Sequence, residues 1–465
     1  MTGISAGRAA TASLRELVSL AFPIVTVQVG LMAMGVVDTI MVGRISPTAL
    51  AAVALGNMYF YILAIFGMGT LMVLDPVVAQ AVGAGDHPAI SRALQRGLLI
   101  AVVLSVALGP LLATAGWALT AFAQPADVVP IAADFAIASI PGIFPLFAFV
   151  ALRQTLQALG KLRPIVITVV AANVVNIGLN WILIYGNLGA PELGAVGSGW
   201  ASSISRVLMA ITLLWIAWPT LRGALLPVHQ EVLLVRPLLR MLALGTPIGG
   251  QQILEYAAFA LVALFMGWFG TSQVAAHQVA MNLASLTFMV PLGIGSAAAV
   301  LVGRAVGRND GAGAQRSAIA SMACGAGFMG ATAIVFLAIP GLLARVYTND
   351  VSVLGIAVLL IPVAGVFQVF DGLQIVATGV LRGLGDTQTP FVVTMLAYWL
   401  IGTPISFYLG FRTELGPVGL WWGFVAGLAT VAVCLLIRAR SLLGRSVSRV
   451  RIDELAEVRV RNQDS

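Results

Sequence analysis

Twelve apolar stretches run through this chain, at about 17–42, 51–82, 92–119, 130–156, 164–185, 196–218, 239–269, 275–303, 317–343, 353–380, 390–409 and 418–437. Most are longer than the ~20 residues a helix needs to cross the hydrocarbon of a bilayer. None alternates with the period of two that marks a half-buried strand. Lipid offers no water to unpaired backbone groups, so only helices or closed barrels span it, and these segments read as helices. Charged residues make up 9% of the chain and hydrophobic ones 60%, against about 25% charged in an ordinary soluble domain. So little charge cannot clothe a water-facing surface. The chain up to Glu16 is polar and small, and the apolar run that follows is too long for the core of a cleaved signal peptide. It is expected to remain as the first span.

Basic residues set the orientation. Of 25 Lys and Arg, 21 fall on one side if both termini are cytoplasmic, the exceptions being Arg44, Arg206, Arg345 and Arg412. Short cytoplasmic loops carry such an excess, so the net charge of +7 needs no nucleic-acid partner. Cys324 and Cys434 both lie in apolar segments and are expected to be reduced, packed residues. Pro23, Pro141, Pro145, Pro247 and Pro362 fall inside spans, where each removes a backbone donor and can kink its helix.

The two halves repeat. LAFPIVTVQ (20–28) aligns with LGTPIGGQQ (244–252) at an offset of 224, and Gly83 meets Gly307 at the same offset. Six spans per repeat, an even number, make the repeats parallel. The expected fold is an all-α integral membrane protein, twelve transmembrane helices in two parallel six-helix repeats around a central cavity. Residues 1–218 form an N-terminal lobe, 219–238 a cytoplasmic linker, 239–437 a C-terminal lobe and 438–465 a cytoplasmic tail. The tail reads as an interfacial or frayed helix, disordered over its last ten residues.

The informative side chains are carboxylates far from water. An acid at a helix centre costs about 2.5–3.5 kcal/mol on insertion scales, so such residues face a cavity and mark ion paths. Glu255 sits in the middle of span seven, with Gln252 three residues earlier and Phe259 four later on one face. Asp371, in span ten, is flanked by Gln368 and Gln374 at minus and plus three. That face is too polar for lipid, and its amide oxygens can serve a hard cation. The repeat sets Leu31 opposite Glu255 and Leu146 roughly opposite Asp371, so both acids belong to the second half alone. Asp38 lies toward the outer end of span one, and Asp75 just precedes Pro76. A hydrogen-bonded structural carboxyl is the competing reading for each, and the favoured one for Asp75. Asn173, Asn176 and Asn180 stripe span five, as cavity lining or as interhelical amide bonds. His277 reads as a packing residue, and Arg206 as snorkelling or paired with a carboxylate.

No GxxxxGK[ST] or HExxH motif is present, so no cofactor is expected and the energy source is an ion gradient or nothing. One charge moving through 100 mV supplies about 2.3 kcal/mol. A membrane-embedded enzyme would need a metal or nucleophile constellation that three histidines and two cysteines do not offer. A major-facilitator transporter would show a long basic central loop.

VDTIMVGR (37–44), PVVAQAVGAGD (76–86), NIGLNW (176–181), AAHQVAMN (275–282), VLVGRAVG (300–307), QVFDGLQ (368–374) and LRGLGDTQTP (381–390) are weak singly. In this order and spacing, over about 15–438, the chain resembles the multidrug and toxic compound extrusion (MATE) family, in its bacterial NorM-type branch. The resemblance implies a monomer in the bacterial inner membrane that exports cationic, amphipathic drugs in antiport with Na⁺ or H⁺ by alternating access. It assigns Glu255 and Asp371 to a cation site, as Na⁺ ligands, and Asp38, Asn176 and Asn180 to proton or drug binding; the shared helix faces add Gln374 to the cation site and Gln252 and Gln368 to proton or drug binding. Phe367 departs from the pattern, standing where some NorM-type members carry a tyrosine. The alternative within the superfamily is a flippase of lipid-linked precursors, which would favour a basic cavity.

Overall fold

The computed structural model describes residues 2–445 and 448–453, and all regular structure among them is helical. The first half holds α1 (Thr2–Gly43), α2 (Pro47–Leu71), α3 (Leu74–Ala84), α4 (His87–Leu112), α5 (Ala115–Ala121), α6 (Val129–Ser139), α7 (Ile143–Ala158), α8 (Arg163–Tyr185) and α9 (Gly194–Leu225). The second holds α10 (Val235–Phe269), α11 (Thr271–Gly307), α12 (Gly311–Ala338), α13 (Pro340–Arg345), α14 (Val351–Gly383), α15 (Gln388–Leu396), α16 (Thr403–Phe411) and α17 (Gly416–Leu443). Joined where they run on, they give twelve segments long and apolar enough to cross a membrane.

The ends depart from expectation where backbone chemistry intervenes. Span three stops at Leu112, and 115–121 is a separate short helix. Span nine stops at Ala338, because Pro340 disfavours helical geometry at Ile339 (φ −132°, ψ 43°) and opens α13 instead. Span two is interrupted after Leu71, so that Asp75 sits in the first turn of α3, where a helix dipole favours negative charge. Pro141 lies in a 3₁₀ turn, Ile140–Gly142, that divides span four into α6 and α7. The last helix continues to Leu443 rather than ending near 437, and residues 448–453 are not helical. The tail's last ten residues lie outside the described residues.

Duplication is visible at the turns. Gly85 (φ +70°) and Asn309 (φ +57°) are repeat mates, and both are left-handed. The aspartates that follow cap matched helices: Asp86 Oδ1 accepts from Ala89 N at 3.0 Å and Asp310 Oδ1 from Gly313 N at 2.7 Å. Asp and Asn are good N-caps because their oxygens satisfy the first orphan N–H groups.

The chain forms two compact units. The N-terminal unit comprises Thr26–Gly249 with the tail from Arg451, and the C-terminal unit Gly250–Val450 with the residues up to Val25. Each boundary falls inside a long helix, just after Pro23 and Pro247. Within the N-terminal unit, the leading segment of α10 packs on α2. A Cβ at Gly245 would collide with the Thr70 carbonyl, and one at Gly249 with that of Phe66. The tail docks on the same unit: Asp453 accepts from Arg92 Nε at 2.8 Å, pairs with buried Arg96 at 2.8 Å, and the Ile452 carbonyl accepts from Arg240 Nη1 at 3.0 Å. In the C-terminal unit an aromatic cluster joins three long helices. Phe259 meets Phe424 at 4.6 Å and Phe367 at 5.9 Å, while Phe367 also meets Trp421 at 5.7 Å.

Candidate functional site

Two polar constellations stand out, one in each unit. In the C-terminal unit, Glu255 lies one helical turn before Phe259, so its carboxylate sits at the edge of the aromatic cluster. It is half-buried. Its Oε1 accepts from Gln251 Nε2 at 3.1 Å and from Gln374 Nε2 of α14. Gln374 Oε1 in turn accepts from the Tyr398 hydroxyl at 3.3 Å. Asp371, one turn before Gln374 on α14, is also half-buried and has no hydrogen-bond partner among the described residues. The Asp371 and Glu255 carboxylates are close enough for their charges to repel, and Arg382 attracts Glu255 from the far end of α14. Glu255, Asp371 and Gln374 are thus brought together. Donors to a charged oxygen are worth about 1.5–3 kcal/mol each, enough to hold one carboxylate in an apolar unit; the second is left open.

Gln368 is elsewhere. It is fully buried, accepts from Thr287 Oγ1 at 2.9 Å through Oε1, and bonds to neither acid. Gln251, not singled out in the sequence, is the neighbouring glutamine that donates to Glu255. It lies four residues before the acid, while Gln252, three before, is half-buried beside it with an interaction of its own. Both spacings bring residues to one helical face, and the sequence offers nothing to choose between adjacent glutamines. Phe367 is 1% exposed inside the aromatic cluster, with Phe424 stacked at 5.3 Å. Among the described residues no group of three or more His, Cys, Asp and Glu could hold a metal; beside the carboxylate pair stand the amides of Gln251 and Gln374.

In the N-terminal unit Asp38 is buried and bound at both oxygens: Asn180 Nδ2 donates to Oδ1 at 2.5 Å and Ser202 Oγ to Oδ2 at 2.7 Å. Asn180 Nδ2 also reaches Asn176 Oδ1 at 3.1 Å. Asp38, Asn176 and Asn180 therefore form one cluster. Asn173 stays apart from them, donating to the Gly30 and Val169 carbonyls at 2.9 and 2.8 Å as an interhelical strut. Arg206, one turn after Ser202 on α9, is buried with its guanidinium 4.1 Å from the Phe60 ring centroid, in electrostatic reach of Asp38 and Tyr61. It is buried in the protein rather than reaching for the membrane surface, with Asp38 as the carboxylate in its electrostatic reach. Gly142 makes room for its stem, since a Cβ there would lie 3.2 Å from Arg206 Cδ. His277 is buried against Trp421, ring centroids 5.6 Å apart, as a packing residue. Asp75 is fully buried and attracts Arg153, whose Nη1 donates to Gln28 Oε1 at 3.2 Å. Arg153, counted above with the loop arginines, is thus a buried residue of α7.

Reading the sequence missed Gln251, Thr287, Ser202 and Tyr398. Gln251 and Ser202 stand one turn from residues already singled out. Tyr398 lies in a π-helical turn, Ala397–Gly402, whose phase a 3.6-residue period does not reproduce.

Similarity to known proteins agrees with this geometry. A family model described as MatE matches residues 23–182 and again 247–408, two copies whose starts, at 23 and 247, are repeat mates. The multidrug resistance protein MdtK of Edwardsiella ictaluri is 35% identical over 438 residues, covering 92% of this chain and 95% of that protein. A probable multidrug resistance protein NorM of Bradyrhizobium diazoefficiens is 35% identical over 441 residues, covering 93% and 94%. Among solved structures, a eukaryotic MATE transporter superposes with a TM-score of 0.84 at 20% identity, over 93% of this chain and 99% of that one. An outward-facing MATE family transporter gives 0.84 at 19% identity, over 93% and 96%. With a duplicated family match over most of its length and relatives that align with it nearly from end to end, this chain is a member of the MatE family of multidrug and toxic compound extrusion transporters.

Proposed function

We propose that this multidrug efflux transporter is a secondary antiporter, exporting cationic amphipathic compounds from the cytoplasm in exchange for Na⁺ or H⁺. It acts as a monomer in a bacterial inner membrane, both termini cytoplasmic, by alternating access of its two six-helix halves. The observation that carries this reading is the carboxylate pair of the C-terminal unit. Glu255 is held by amide donors, while Asp371, within repulsive reach of it, keeps its oxygens unengaged by the described residues. Two like charges in an apolar surrounding attract a cation or a proton strongly, because little solvent screens them. A bound ion removes the repulsion and lets the aromatic surroundings close. When the ion leaves, the restored negative charge recruits a cationic drug beside Phe259 and Phe367. Ion and drug thereby compete for one charge, which is the condition for exchange. Asp38 with Asn176 and Asn180 offers a second protonatable site in the other half.

The test is efflux of ethidium from proteoliposomes under a Na⁺ gradient alone and a pH gradient alone. Glu255→Gln and Asp371→Asn should each reduce gradient-driven efflux to the rate of protein-free vesicles, with unchanged reconstitution. Efflux at the parental rate in both variants would discard the assignment of the coupling site.

A further inference from the structure

Tyr398 hydrogen-bonds to neither carboxylate, yet its hydroxyl reaches Gln374, the amide that donates to one of them. The π-helical turn Ala397–Gly402 separates α15 from α16. Pro404, in the first turn of α16, has no N–H to return to a preceding carbonyl, which relaxes the helical register ahead of it. Gly402 lets the turn lie against α17, where a Cβ would come within 3.1 Å of the Gly427 backbone. The wider turn presents Ala397 and Tyr398 to the interior and leaves Trp399, Leu400 and Ile401 outside. Tyr398 is 1% exposed, its ring 5.5 Å from that of Phe424. π turns are rare and gather at functional sites.

We infer that Tyr398 is a positioning residue of the coupling site, acting through Gln374. An amide presents an oxygen at one end and an N–H₂ at the other, and nothing intrinsic decides which faces a neighbour. Here the phenol donates to Gln374 Oε1 and the N–H₂ faces Glu255, an orientation in which the stronger acceptor, the carboxylate, takes the amide's donor. A carboxylate accepts only, so this orientation stabilises the empty, ionised Glu255. Without the phenol, Gln374 is free to turn its oxygen toward Glu255, which disfavours the bare carboxylate and favours one carrying a proton or cation. The hydroxyl therefore sets how readily the site releases its ion. It enters from the chain between α15 and α16 rather than from position 367 of α14. The inference rests on the proposed role of Glu255 as the coupling acid.

The measurement is ethidium efflux from proteoliposomes as a function of Na⁺ at fixed pH, and of pH without Na⁺, for the parent, Tyr398→Phe, Gln374→Leu and the double variant. Tyr398→Phe should lower the half-saturating concentration of the driving ion roughly tenfold, the equivalent of one hydrogen bond to a charged group. Maximal efflux should fall as ion release slows. Gln374→Leu should show the same shift, and the double variant no more than Gln374→Leu alone. A residue that merely supports packing would lower maximal efflux without tightening the ion. Parental half-saturation in Tyr398→Phe, or in Gln374→Leu should the first variant fail to accumulate, overturns the inference. Glu255→Gln, run alongside, separates the two readings: if it retains ion-driven efflux the coupling site itself is wrong, and if it is inactive while Tyr398→Phe is parental, only the role of Tyr398 falls.

Discussion

Buried charge is treated in opposite ways in the two units. Asp38 has a donor on each oxygen and a guanidinium nearby, so its charge is compensated inside the protein. Glu255 and Asp371 share one neighbourhood, where the amides of Gln251 and Gln374 serve Glu255 and Arg382 attracts it. The first arrangement sets a hydrogen-bonded carboxyl within electrostatic reach of a buried guanidinium, and loss of one side leaves the other charge uncompensated out of water. Arg206→Met should therefore lower the thermal stability of the detergent-purified protein, and adding Asp38→Asn should recover part of the loss. A double-mutant cycle is expected to show a coupling of about 1–3 kcal/mol, as for residues in one buried network. Additive losses would mean that Arg206 is held by Phe60 and Tyr61 alone. The acids at these positions were legible in the sequence because a carboxylate inside an apolar helix has so few explanations. Asn180 and Gln374 were legible among their partners, but Ser202 and Gln251 were not, being ordinary residues whose meaning depends on what lies opposite.

Helices were the most legible level, and their interruptions the least. Proline explains the stop at Ala338 and the turn at 140–142; Pro141 was singled out in the sequence, whereas span nine was drawn straight through Pro340. The π turn at 397–402 was not, because a single turn out of phase leaves no trace in a hydrophobic period. Close helix contacts were also hidden, since fifty glycines cannot be ranked without knowing what each one faces. The structure ranks them. Gly245→Val would drive a side chain into the Thr70 carbonyl, whereas a Cβ at Gly330 meets nothing within 4 Å. Overpacking of a close-packed contact costs about 1–3 kcal/mol. Gly245→Val should thus reduce the monodisperse fraction in fluorescence-detected size exclusion, while Gly330→Ala leaves it unchanged. Equal profiles would show that the α10 lead segment yields without cost.

At the scale of the whole molecule, the sequence argument for orientation rested on where arginines lie, and the structure changes what that count means. Arg206 drops out, being buried beside Asp38, and so do Arg96, Arg153 and Arg382, which are buried in their helices. These side chains are held by the protein rather than by lipid headgroups. The excess survives without them, because Arg163, Arg222, Arg236, Arg240, Arg308, Arg316 and the cluster from Arg438 onward still belong to one side, against Arg44, Arg345 and Arg412. Retention of basic loops on the cytoplasmic face then favours both termini inside. With Cys324 and Cys434 replaced by serine, single cysteines at Leu188 and Val351, 80% and 83% exposed, should react with a membrane-impermeant maleimide on intact cells. A cysteine at Ala312, exposed in the first turn of α12, should react only after permeabilisation. The reverse pattern would invert the molecule, and with it the direction in which the Glu255 and Asp371 pair could drive export, since an antiporter's cargo moves against whichever side supplies the ion.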